Sequence, residues 1–91
     1  MTDASSFVRP LDPNDTLPLY QQLQRAVRDA IDAHVLAPDD ALPSERQLAE
    51  DFAVSRITVR RAIEGLVEEG LLVSRQGSGN FVCSRVEKNF A

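Results

Sequence analysis

The stretch Leu42–Val82, LPSERQLAEDFAVSRITVRRAIEGLVEEGLLVSRQGSGNFV, holds two helix starts, a helix stop and a hairpin in one continuous run. Ser44 and Gln47 stand in the S-x-x-Q arrangement, in which the serine oxygen and the glutamine side chain each serve an exposed backbone N–H of the first turn. Leu48, Ala49 and Phe52 then recur at helical spacing. Ser55 is a second cap, and from it Val59, Ala62, Ile63, Leu66 and Val67 trace one apolar stripe at i, i+3, i+4, i+7 and i+8. Gly70 falls where a glycine ends a helix in the left-handed conformation. Beyond it, Leu71–Arg75 and Asn80–Ser84 are short β-like runs around the glycine-rich loop Gln76-Gly77-Ser78-Gly79. Two helices separated by a few residues, the second with arginines off its apolar stripe, read as a helix-turn-helix.

Working back from this stretch, APDDALP at 37–43 is a turn in which Pro43 halts the chain ahead of the Ser44 cap. Val35 and Leu36 are a candidate short extended piece that pairs with the later hairpin as a third strand. Leu19, Tyr20, Leu23, Ala26, Val27, Ala30 and Ile31 lie at helical spacing. They predict a further core-facing helix that starts at Thr16–Pro18, with the proline in the first turn, and ends near Ala33 or His34. Residues 1–16 lack periodicity and are expected to form a flexible tail. The core is expected to close over Leu72 and Phe81.

A chain of 91 residues is one small domain with a core of limited size. With 43% hydrophobic residues it is a globular composition rather than a disordered one. No apolar run reaches the ~18 residues of a membrane span, and MTDASSF has neither the basic nor the apolar region of a signal peptide. The single cysteine, Cys83, has no partner for an internal disulfide, which fits a reducing, cytoplasmic setting. His34 is the sole histidine, and no Cys/His/Asp cluster at ligand spacing surrounds it; neither metal nor cofactor is expected. No nucleophile–base–acid set stands out, and the Gly-rich loop leads into a strand rather than a helix, so no enzyme is expected.

The net charge of −4 speaks against nucleic acid until its distribution is read. Residues 1–54 carry four arginines against ten acidic residues, whereas residues 55–85 carry Arg56, Arg60, Arg61, Arg75 and Arg85 against only Glu64, Glu68 and Glu69. A binding face responds to charge within a Debye length of roughly 8 Å, so the second balance governs if the acidic half points away.

The combination PLYQQL at 18–23, LPSERQLA at 42–49, VSRITVRRAIEGL at 54–66 and RQGSGNFV at 75–82 resembles the DNA-binding domain of the GntR family of bacterial transcription regulators, and within it the HutC group. The likeness covers roughly residues 17–84. Asn80 stands where the family's wing more usually has threonine. The resemblance implies a mainly α fold with a small β-hairpin: a winged helix-turn-helix of three helices and a two-stranded wing over 17–84. It also implies that 85–91 begins a linker to an effector-binding domain. Double-stranded operator DNA is the implied partner, met as a homodimer on a pseudo-palindromic site, by a metabolite-responsive repressor whose small-molecule effector binds the C-terminal domain.

Candidate contacts follow from chemistry and likeness together. A helix N-terminus favours phosphate, and Ser55 and Thr58 there add small hydroxyl donors. Arg56 and Arg60, four apart, reach out from neighbouring turns of one face, and the resemblance assigns them to base edges or adjacent phosphates. Arg61 lies further round, as a backbone clamp or as a partner of Glu64 or Glu68; an Arg60–Glu64 pair is the corresponding alternative for Arg60. Arg46 matches the family arginine near the start of the reading helix. In the wing, Arg75, Gln76 and Gly77 are expected at the minor groove, where glycine permits close backbone approach. The competing reading is a winged helix used as a protein–protein module, for which an acidic pI of about 4.8 is unsurprising.

Overall fold

Ser44 begins the helix pair as its sequence demands: its Oγ accepts the Gln47 N–H at 3.1 Å, at the head of a helix running Glu45–Phe52. The Gln47 side chain turns to Asp51 one turn on, so the serine half of the cap is the half that is made. The computed structural model describes residues 10–75 and 79–83. In chain order the elements are α1 (Leu19–Asp32), α2 (Glu45–Phe52), α3 (Arg56–Glu68), β1 (Leu72–Arg75) and β2 (Gly79–Val82), a winged helix-turn-helix with a two-stranded antiparallel wing.

All three helices close by one device. In α1 the N–H groups of His34 and Val35 return to the carbonyls of Ile31 and Ala30. In α2 those of Ala53 and Val54 return to Glu50 and Ala49. In α3 those of Gly70 and Leu71 return to Val67 and Leu66. This paired closure requires a left-handed residue between helix and exit, and His34 (φ 63°), Ala53 (φ 58°) and Gly70 (φ 84°) fill that place. Only Gly70 does so without steric cost. The α2 closure makes the tight turn of the helix pair, since Ser55 caps α3 two residues later by accepting the Thr58 N–H at 3.1 Å.

The stripe of α3 lies at the centre: Val59, Ala62 and Leu66 have no exposed surface. Leu23, Ala26, Val27 and Ala30 of α1 and Leu48 and Phe52 of α2 pack around it. Burial of these side chains is the main source of stability, at roughly 1.5–3 kcal/mol each for the larger ones. Among the described residues one polar side chain is drawn in: Gln24, 7% exposed, whose Nε2 donates to the Ala62 carbonyl at 3.1 Å. The exposed Arg28–Glu69 pair ties α1 to the end of α3.

Four expectations are corrected by the coordinates. The third strand is an isolated bridge between Ala41 and Phe81, flanked by bonds of Asp39 to Val82, Val82 to Asp40 and Leu42 to Asn80. The N–H groups of Val35 and Leu36 are instead consumed by the Ala30 carbonyl in closing α1. Val82, not Phe81, completes the core, because Val82 opposes Leu72 in the register and alternate strand residues face opposite sides. Pro18 is the N-cap of α1 rather than a first-turn residue. Lastly, part of the expected tail is fastened: Asp12 exchanges two backbone hydrogen bonds with the Gln22 side chain at 2.8 Å each, and Leu11 packs on the core. Residues 1–9, the Gln76–Ser78 tip and residues 84–91 lie outside the described set.

Candidate nucleic-acid interface

The starts of α2 and α3 and the hairpin meet at an open groove lined by Arg46, Arg56 and Arg75 together with Ser44, Glu45 and Asn80. Three guanidinium groups thus come from three separate elements of a chain whose net charge is −4. Arg75 lies over the Phe81 ring, 4.7 Å from its centroid, which holds its stem against the wing. Arg46 is well exposed and shares a loose pair with Glu50 at 3.6 Å.

Arg60 borders this groove from the next turn of α3, but it is engaged: its Nη2 lies 3.3 Å from Glu45 Oε1 on α2. The helical pair with Glu64 is therefore not what forms. Arg61 points elsewhere. Its guanidinium covers Tyr20 of α1 at 4.4 Å from the ring centroid, and Glu68 is not its partner. A hydrogen bond from Gln21, with Arg61 beside it, holds the Tyr20 phenol below its ordinary pKa. Tyr20 thus covers the core edge with its ring and steadies an arginine with its face.

At the start of α3 the Ser55 and Thr58 hydroxyls are 3.0 Å apart and share one hydrogen bond, while Ser55 Oγ also accepts the Thr58 N–H. One hydroxyl proton of the two therefore remains for a ligand. Gln76 and Gly77 fall outside the described residues. Arg46, Arg56 and Arg75 thus line one groove and Arg60 lines the adjoining one, which shares Glu45, Ser74 and Asn80 with it, while Arg61 lies over Tyr20 of α1.

Two residues on this side were not singled out from the sequence. Glu45 meets Arg60 across fifteen positions, a contact no local period encodes. Ile57, 78% exposed, is the large hydrophobic residue that the described surface leaves in the open. Its signal was available, since an aliphatic residue at 57 falls off the stripe of 59, 62, 63 and 66. Among the described residues no group of His, Cys, Asp and Glu can hold a metal, and no helix is long and apolar enough to cross a membrane.

The model for bacterial regulatory proteins of the gntR family matches residues 19–82. The chain is 47% identical over 74 residues to the uncharacterized HTH-type transcriptional regulator YurK of Bacillus subtilis, covering 81% of this chain and 31% of that protein. It is 49% identical over 65 residues to the mannosyl-D-glycerate transport/metabolism system repressor MngR of Escherichia coli, covering 71% and 27%. The histidine utilization repressor of Klebsiella aerogenes is 43% identical over 65 residues, again 71% of this chain and 27% of the relative. The chain therefore spans under a third of the length of these relatives. Among solved structures, the AraR DNA-binding domain in complex with operator ORX1 superposes with a TM-score of 0.78 at 39% identity, covering 84% of this chain and 96% of that one. YtrA from Sulfolobus acidocaldarius, a GntR-family transcription factor, gives 0.80 at 34% identity, covering 91% and 86%. A capped helix pair, a glycine-bounded wing and a match over nearly the whole described fold together place this chain in the gntR family of bacterial regulatory proteins.

Proposed function

We propose that this chain is the operator-reading domain of a transcription repressor, with α3 laid in the major groove of double-stranded DNA. The observation that carries this is the convergence of Arg46, Arg56 and Arg75 on one groove at the heads of α2 and α3. A helix ~10–12 Å across fits a major groove ~12 Å wide, and reading helices of this class meet base edges with their N-terminal residues. Support also comes from the similar AraR domain, which is held in a complex with its operator.

In this reading Arg56 and Arg60 address base edges, and Arg46, Arg61, Ser55 and Thr58 address phosphates. Arg75, Gln76 and Gly77 carry the wing toward the minor groove. The domain occupies residues 17–84, preceded by a segment that Leu11 and Asp12 fasten to it and followed by a linker at 85–91 leading to an effector-binding domain. A homodimer in the bacterial cytoplasm places two reading helices about 34 Å apart on a pseudo-palindromic operator, and a small metabolite modulates occupancy.

Selection of bound sequences from random duplexes, followed by titration at several salt concentrations, tests the proposal. Enrichment of a defined half-site, with affinity falling as salt rises, is expected. Salt-insensitive binding without sequence preference overturns it and favours a protein–protein module.

A further inference from the structure

A single exposed aliphatic side chain is ordinary on a protein surface, so the exposure of Ile57 is not in itself informative. Its position is. At 3.6 residues per turn, Leu66 falls about half a turn round the helix from Ile57, and Val59 and Ala62 lie within roughly a ninth of a turn of Leu66's direction. Those three are the side chains with no exposed surface. Ile57 therefore projects along the line leading directly away from the core, at the second residue of α3. By the same geometry Arg60 and Arg61 lie to either side of it, and Arg56 and Thr58 precede and follow it in the chain.

Its chemistry fits one groove feature. In the major groove the one apolar group that distinguishes a base pair is the C5-methyl of thymine. Isoleucine in a helix holds one strongly preferred rotamer, so it meets such a methyl with little further ordering. Charged groups on the same column, Glu64 and Glu68, lie about two and about three turns toward the C-terminus, which restricts close approach to the first turns of α3.

We propose that Ile57 is a specificity-determining residue that selects thymine by packing on its C5-methyl group, between the arginines that bind phosphate and base edges. The inference rests on the DNA-reading function above and names the part of that recognition that carries no charge.

The probe is the duplex enriched by selection, together with a series in which each thymine in turn is replaced by deoxyuridine, which removes the methyl and keeps the pairing. Wild-type protein is expected to lose about three- to fivefold in affinity at one thymine per half-site. Ile57→Ala is expected to bind the parent duplex more weakly by a similar factor and to become indifferent to that one replacement, while its melting temperature and salt slope stay at the wild-type values. If Ile57→Ala responds to every replacement as wild type does, or if no thymine is methyl-sensitive in the wild type, the inference is wrong although DNA reading stands. If no duplex is enriched at all, DNA reading itself falls and takes this inference with it.

Discussion

Arg60 of α3 is bound to Glu45 of α2 at 3.3 Å, so an arginine proposed for base reading already faces a carboxylate inside its own domain. The pair is partly exposed and so worth no more than about 1 kcal/mol, yet it sets a competition: any phosphate or base edge must displace Glu45 or share Arg60 with it. Glu45→Gln is expected to raise affinity for random-sequence duplex about two- to fivefold at low salt, an effect that fades as salt rises. In an Arg60→Ala background the gain should shrink. A gain that persists undiminished there would show that Glu45 acts on the duplex directly rather than through Arg60.

Arg60 and Arg61 should fail differently when removed. Arg60→Ala is expected to cost about 1–3 kcal/mol on the preferred duplex and to relax preference at one base pair. Arg61→Ala, lost from its seat on Tyr20, should weaken all sequences alike and lower the salt slope by about one. Tyr20→Phe, which keeps the ring face, should leave that slope unchanged. Competition binding across a panel of single base-pair variants at several salt concentrations separates the two.

Gln24 explains why position 65 is glycine. A Cβ there would fall on the Gln24 amide, which occupies the space beside α3 to reach the Ala62 carbonyl. Gly65→Ala gains about 1 kcal/mol of helix propensity but displaces a buried hydrogen-bonded amide, a loss of about 1–3 kcal/mol. Net destabilisation is expected in the wild type. In a Gln24→Ala background the same substitution should stabilise. Urea denaturation of the four proteins of this cycle reads the sign directly, and an unchanged sign would refute the account.

Ala53 occupies the left-handed position in the turn between α2 and α3, at φ 58° and ψ 45°. That conformation costs an L-residue about 1–2 kcal/mol, while glycine brings a backbone-entropy penalty of about 0.5–1. Ala53→Gly is therefore expected to raise the urea midpoint by the equivalent of about 0.5–1 kcal/mol with no change in slope.

Leu66→Ala should cost about 2–5 kcal/mol, since the side chain is wholly enclosed and its loss leaves a cavity beneath all three helices. Thermal melting checks this, and a negligible shift would place the α3 stripe in another phase.

What could be read from the chain was whatever is written in local periods. The Ser44 and Ser55 caps, the 59/62/63/66/67 stripe and the Gly70 stop each rest on spacings of one or two helical turns; caps and stop are where those spacings put them, and the stripe is buried at its first four positions and half-buried at Val67. The misses are non-local or are matters of phase. Val35 and Leu36 form no strand with the hairpin, because closing α1 claims their N–H groups first. Phe81 is the larger residue of the second strand, yet strand alternation hands the core to its neighbour Val82. The partners of Arg60 and Arg61 were sought four or seven residues along the same helix, whereas α2 and α1 supply them. Ile57 carries no charge or polar group to mark it, and only its place off the apolar stripe sets it apart in the sequence.

The three main-chain bonds that stitch residues 39–42 to residues 80–82 give the hairpin a fixed root, and only Pro43 separates that root from the cap of α2. Wing and reading helix therefore cannot be re-aimed separately: tilting one drags the other. A wing grafted from a cousin would have to bring along the loop ahead of Ser44, or it would arrive with its inner strand unsupported.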